Sequence, residues 1–144
     1  GMLATRFALM YPEMVTHLIL ENPIGLEDYR PIVTYTPLED LYRNELGATE
    51  AAIRNYHKTY YVTWKPEYEE YVEVAVRMKE SGEAPRLAMS AALTYQMIYE
   101  QPVCYEFGQI KAKTLLVIGQ VDRTVAGKAR VKKELFPTSV SIPN

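Results

Sequence analysis

Cysteine is almost absent from this 144-residue chain: Cys104 stands alone, so no intramolecular disulfide can form. Histidine is nearly as scarce. His17 and His57 are the only two, neither lies near Cys104 in sequence, and no Cys/His cluster has zinc-ligand spacing. A lone cysteine without a histidine base reads as a small buried side chain rather than a nucleophile. A large excess of either charge is also lacking. A net charge of −2 with 24% charged residues offers no basic surface of the kind nucleic acid or an acidic membrane would require. The basic cluster Lys128, Arg130, Lys132 and Lys133 reads more simply as a solvated helix face or tail than as a phosphate site. No apolar run approaches the ~20 residues that span a bilayer. The start also has no charged, apolar and small-residue pattern of a signal peptide, which leaves the compartment open.

What is present is a 48% hydrophobic chain with twelve tyrosines, long enough for one modest core. Leu3, Phe7, Met10 and Tyr11 recur at helical spacing over residues 2–11, and Pro12 stops that helix. Val15 to Leu20 is too short for a helix and is flanked by breakers, so it reads as a buried strand that leaves through the loop Asn22-Pro23-Ile24-Gly25. From Pro37 the character changes. Residues 37–46 form a helix closed by Gly47, and Thr49 opens another carrying Ile53, Tyr56, His57 and Tyr60. Pro66 begins a third, with Glu67, Glu69 and Glu70 at the positive end of its macrodipole, running to about Lys79. Pro85 begins a fourth, reaching about Tyr99. Lys113 to Ile118 is a second apolar strand broken by Gly119, and the chain is helical again from Val125. The expected organisation is α/β, with a helical block set into it: residues 1–36 a partial core, 37–105 the helical block, and 106–144 the rest of the core.

Open α/β sheets carry their functional groups just past the carboxyl ends of the strands. Two exits meet that description, Leu20-Glu21-Asn22-Pro23 and Ile118-Gly119-Gln120-Val121-Asp122-Arg123-Thr124. The second is the more informative, because Gly119 lets the chain turn out of the sheet and Asp122 follows three residues later. Glu21 is the alternative carboxylate, or a plain polar residue at a strand exit.

The stretch Leu115-Leu-Val-Ile-Gly-Gln-Val-Asp-Arg-Thr124 resembles the strand and acid loop of the α/β-hydrolase family. Gly1-Met-Leu-Ala-Thr-Arg-Phe-Ala-Leu-Met-Tyr-Pro-Glu13 is similar to the helix that follows that family's nucleophile elbow, and Val15 to Gly25 to the core strand after it. The helical block falls where many members insert a cap. The resemblance covers about residues 1–130, and its most specific element is the order of the pieces. It implies a truncated hydrolase, mostly helical cap plus two short parallel core strands, acting on a small ester, amide or related bond without a cofactor.

The resemblance also implies what is missing. The family requires Gly-x-Ser-x-Gly, then an acid, then a histidine. No Gly-x-Ser-x-Gly occurs, Gly1 can stand at most for its last glycine, and no histidine follows Asp122. Asp122 would orient a histidine in the full triad, or, as a structural residue, cap the next helix or pair with Arg123. His17, at the start of a strand, reads as structural. His57 reads as a helix-surface or core residue before a substrate contact. Tyr56, Tyr60, Tyr61, Trp64, Tyr68 and Tyr71 either line an apolar pocket or pack on one another. A competing expectation follows from so small a sheet. Its unpaired edges should drive self-association as a homodimer, making the chain a non-catalytic interaction module.

Overall fold

A computed structural model describes residues 1–120. Helix α1 (Met2–Met10) leads through a 3₁₀ turn (Pro12–Met14) into strand β1 (His17–Glu21). Four helices follow: α2 (Leu38–Gly47), α3 (Glu50–Lys58), α4 (Glu69–Glu80) and α5 (Ala84–Glu100). A 3₁₀ segment (Cys104–Gln109) then precedes strand β2 (Lys113–Val117). Asp122 and the helix expected from Val125 lie outside the described residues. The two strands are neighbours in one sheet. The Lys113 amide, at the start of β2, donates to the Thr16 carbonyl just before β1 at 3.3 Å. Both strands therefore begin side by side and run in the same direction, as a parallel pair joined by a long crossover must.

The chain divides into two compact units. The first comprises Gly1–Tyr35 with Ile98–Leu116. Its core is the small cluster Ala8, Leu18 and Leu20, with Val15, Ile110 and Ala112 packed beside it. The helix stands where apolar spacing predicts it, but its inward stripe is Met2, Thr5 and Ala8. Of these, Thr5 and Ala8 are small, and Ala8 packs against Leu18 and Leu20. Leu3, Phe7, Met10 and Tyr11, which signal the helix in the sequence, are the exposed ones. The strands differ from expectation in the same way. β1 alternates, burying Leu18 and Leu20 while His17, Ile19 and Glu21 are exposed, so it is covered on one face only. β2 is exposed along its whole length.

The second unit holds Thr36–Met97 and the stretch that begins at Val117. Thr49 caps α3 by accepting the Ala52 amide on its hydroxyl at 3.2 Å, as a threonine before a Glu-Ala-Ala start should. α3 and α4 pack against each other. Their corner is fixed by one carboxylate, because Glu69 accepts the Arg54 Nε at 3.0 Å on one oxygen and the Trp64 indole N–H at 3.1 Å on the other. Arg54 also reaches back one helical turn to Glu50 at 2.7 Å, and this guanidinium beside it holds the Glu69 carboxyl below its ordinary range. Pro66 opens a 3₁₀ turn (Pro66–Tyr68) rather than α4 itself. The α-helix proper starts three residues later, with Glu69 and Glu70 in its first turn and Arg77 and Lys79 in its last. Among the described residues of this unit, the buried apolar positions are Leu41, Val72, Ala88 and Ala92.

The buried side of β1 carries the first unit. Leu20→Ala removes half of the branched apolar surface that Ala8 packs on, and should cost about 2–3 kcal/mol, the low end for a core leucine because the sheet is open on its other side. Urea unfolding followed by circular dichroism measures this, and a loss under about 0.5 kcal/mol would show that the cluster does not hold α1 to the sheet.

Candidate functional site

The carboxyl end of β1 is where the first unit gathers its unusual backbone. The chain leaves the strand through Asn22, a non-glycine residue at φ 38°, and three residues later passes through Gly25 at φ 104°. Both sit in the left-handed region that glycine tolerates and asparagine visits. This tight exit folds the loop back onto the first turn of α1. A Cβ on Gly1 would lie 2.2 Å from the Ile24 carbonyl oxygen and 2.7 Å from the Ile24 nitrogen, so only glycine fits there with the backbone as it stands. A Cβ on Gly25 would meet the Met2 side chain at 2.3 Å and the Val103 side chain at 3.2 Å. Met2 and Val103 are both buried. Thr5, also buried, donates its hydroxyl to the Gly1 carbonyl at 3.1 Å, in parallel with its own amide at 3.0 Å. The start of α1 is therefore locked beside the exit of β1, the position at which α/β sheets place their chemistry.

Two polar clamps hold this arrangement from the side. Arg6 donates to Glu106 at 2.6 Å and to the carbonyls of Gln101 and Pro102 at 3.4 Å each, tying α1 to the segment after α5. Asp28 accepts Arg30 Nη2 at 2.7 Å, Arg30 Nε at 2.9 Å, the Arg30 amide at 3.0 Å and the Tyr105 hydroxyl at 2.8 Å. The bidentate Arg30 guanidinium, above all, holds the Asp28 carboxyl well below the usual carboxylate range. In return Tyr105, whose hydroxyl donates to Asp28, is pushed up from the ordinary phenol value. The Asp28 side chain is only 11% exposed, which keeps this clamp less screened than the surface pairs on α2 and α4. Neither clamp is apparent in the sequence. Arg6 and Glu106 stand a hundred residues apart, Asp28 and Tyr105 seventy-seven, and only the Asp28-x-Arg30 spacing hints at a local pair.

The residues singled out by sequence fall in different places. Asp122 lies outside the described residues. Glu21, the alternative carboxylate, is exposed at the last position of β1. His17 is at the opposite end of that strand, exposed, with Nδ1 3.2 Å from the Thr16 hydroxyl. His57 lies on α3, edge-on to Tyr56 and Tyr60. The aromatic residues of the second unit form two groups. Tyr61 stacks on Tyr68 at 4.0 Å, with Trp64 edge-on to both at 5.6 Å and Lys58 5.9 Å above the indole. Tyr60 donates its hydroxyl to the Tyr56 hydroxyl at 2.7 Å. Burial, reinforced by that bond, pushes the Tyr56 phenol up to about 12. Tyr61, Trp64 and Tyr68 are thus in contact with one another, the arrangement of a small aromatic core. Among the described residues no three His, Cys, Asp or Glu side chains form a metal-binding group, and no helix is long and apolar enough to cross a membrane.

No family model matches the chain, and no curated protein matches it. Among solved structures, a probable hydrolytic enzyme from Pseudomonas aeruginosa PAO1 is similar, with a TM-score of 0.86 and 42% sequence identity. The match covers 94% of this chain but 44% of the Pseudomonas protein, so the chain spans less than half the length of that structure. The likeness supports a hydrolase-like fold over the matched length.

The Asp28 clamp has a definite pH signature. A carboxyl whose folded pKa is depressed contributes stability above its unfolded value, about 3.9, and loses that contribution as the pH falls below it. Asp28→Asn should therefore lower the melting temperature at pH 7, and the gap from the parent should close steadily between about pH 4 and pH 2. A gap that stays constant across that range would mean the carboxylate charge is not what Arg30 and Tyr105 hold.

Proposed function

We propose that this chain is the part of a capped α/β-hydrolase that carries the acid and the cap, and that the whole enzyme cleaves a small ester, amide or related bond. The observation that carries the reading is the seat of α1. A glycine with no room for a Cβ begins a helix locked at the carboxyl end of a parallel strand. That is the geometry a strained strand-to-helix turn needs just before the helix, so that a nucleophile there is presented at the sheet's edge. The resemblance of Leu115–Thr124 to an acid loop, and the 42% identity to a probable hydrolytic enzyme, support the same reading.

In such an enzyme Asp122 would accept the N–H of a histidine and stabilise the imidazolium as that histidine takes the nucleophile's proton. Backbone amides beside the nucleophile would hold the oxyanion. The helical block of the second unit would cover the substrate. The sequence has neither Gly-x-Ser-x-Gly nor a histidine after Asp122, so the 144-residue chain by itself has no nucleophile–base pair to offer and should be inactive. The competing reading is a non-catalytic helical module that self-associates as a homodimer. On its side stand the many large apolar side chains left exposed, among them Leu3, Met10, Ile19, Val74 and Leu93.

Purified chain should turn over p-nitrophenyl acetate and butyrate no faster than buffer. Turnover above buffer that disappears in Asp122→Ala would show a complete site and sink the proposal of inactivity. Size-exclusion with light scattering on the same preparation addresses the competing reading, for which a stable monomer is the adverse result.

A further inference from the structure

The two sides of α4 differ sharply. Its inner side is engaged: Val72 is 1% exposed, and Glu69 holds the corner with Arg54 and Trp64. On the outer side Tyr71, Val74 and Met78 are about half exposed, at 48%, 56% and 49%. Their spacing of three and then four residues sets them one above another along a single stripe. The half-buried Ala75 beside Val74 leaves room for a second backbone to approach. Glu70 and Arg77 border the stripe on its other side, a heptad apart and opposite in charge. Arg77 lies 3.4 Å from Glu73, in a pair whose side chains are both more than half exposed, so that contact holds it weakly.

We infer that α4 is the surface through which two copies of this chain pair, side by side and antiparallel about a twofold axis. In an antiparallel pair the positions bordering one side of the stripe face their own equivalents. Glu70 of each copy therefore meets Arg77 of the other, twice per dimer. A parallel pair would set Glu70 against Ala75 instead, with no ion pair. The stripe is thus apolar along its middle and complementary to itself in charge, which an unrelated covering layer would not require. The contact lies wholly within the second unit and holds whether or not the chain is part of a hydrolase. It also moves the self-association expected of the sheet edges to a helix. Two twelve-residue helices bury less than the ~1,200 Å² of a standard interface, so the dimer is a weak one that forms and separates readily.

Sedimentation equilibrium on the purified chain tests the inference. The expected result is a monomer–dimer equilibrium with a dissociation constant of ~10–100 μM, suited to a contact this small. Val74→Lys should abolish the dimer. Glu70→Arg and Arg77→Glu should each weaken it about 10-fold, because two attractive pairs become repulsive. Mixing those two charge variants should restore it, since each supplies the sign the other lacks, and that recovery also shows that both are folded. Leu116→Lys, in β2, should leave the equilibrium unchanged. A chain that stays monomeric at about 1 mM would overturn the inference. A dimer that survives Val74→Lys, that ignores both charge variants, or that is lost in Leu116→Lys with helix content intact would overturn it too. Those last three outcomes leave the competing homodimer reading in place, so the failure of one is distinguishable from the failure of the other.

Discussion

The contact between Gly1 and the Ile24 backbone sets the terms for the whole first unit. With the Ile24 carbonyl 2.2 Å from where a Cβ would stand, α1 can begin only as a helix whose first residue has no side chain. The loop that meets it must reverse within four residues of β1. Asn22 and Gly25 supply that reversal by taking left-handed backbone angles. Once the helix start is fixed there, the inward stripe is decided. Met2 fills the gap between Gly25 and Val103, Thr5 returns its hydroxyl to Gly1, and Ala8 reaches the strand. A larger residue at position 8 would push the helix off Leu18 and Leu20. The close approach at one end therefore requires the small residue at the other.

That chain of consequences explains why the sequence is legible for elements and misleading for faces. Periodicity locates α1, β1, the four helices α2 to α5 and β2 to within a few residues, because proline, glycine and the Thr49 cap punctuate them. It does not say which side turns inward. In α1 most of the apolar signal, Leu3, Phe7 and Met10, belongs to the exposed face, and the buried face combines Met2 with the small Thr5 and Ala8. Hydrophobic periodicity detects transfer free energy, whereas close helix-to-sheet packing selects for small volume. The two criteria disagree wherever backbones approach closely. The same reason hides the Arg6–Glu106 and Asp28–Tyr105 clamps, whose partners meet only after the fold has formed.

The candidate site divides along the same line. The loop after β1 could be placed at a strand exit from sequence, since Gly25 and the Asn-Pro before it mark a turn, whereas the seat of Gly1 against Ile24 could not. The aromatic residues of the second unit could not be assigned. Tyr61, Trp64 and Tyr68 satisfy helical spacing whether they line a cavity or stack, and only the 4.0 Å ring separation distinguishes the two. The role of Glu69 was equally hidden. One carboxylate serves both the Arg54 guanidinium and the Trp64 indole, so the corner between α3 and α4 depends on an acid that reads in sequence as macrodipole decoration.

An apolar stripe that is exposed and a polar clamp that is half-buried are usually regarded as flaws in a folded domain. Here they have one physical source. A sheet of two described strands can cover one face of one of them with one helix, and the hydrophobic free energy of that small cluster is modest at roughly 25 cal/mol per Å². The first unit therefore leans on directional contacts, namely the Arg6 and Asp28 clamps and the glycine seat, to fix positions that a larger core would fix by packing alone. Those contacts hold the start of α1 and the exit of β1 in register even while Leu115 and Leu116 remain in water. A unit organised in this way fixes the geometry of a strand exit by directional contacts rather than by a large core.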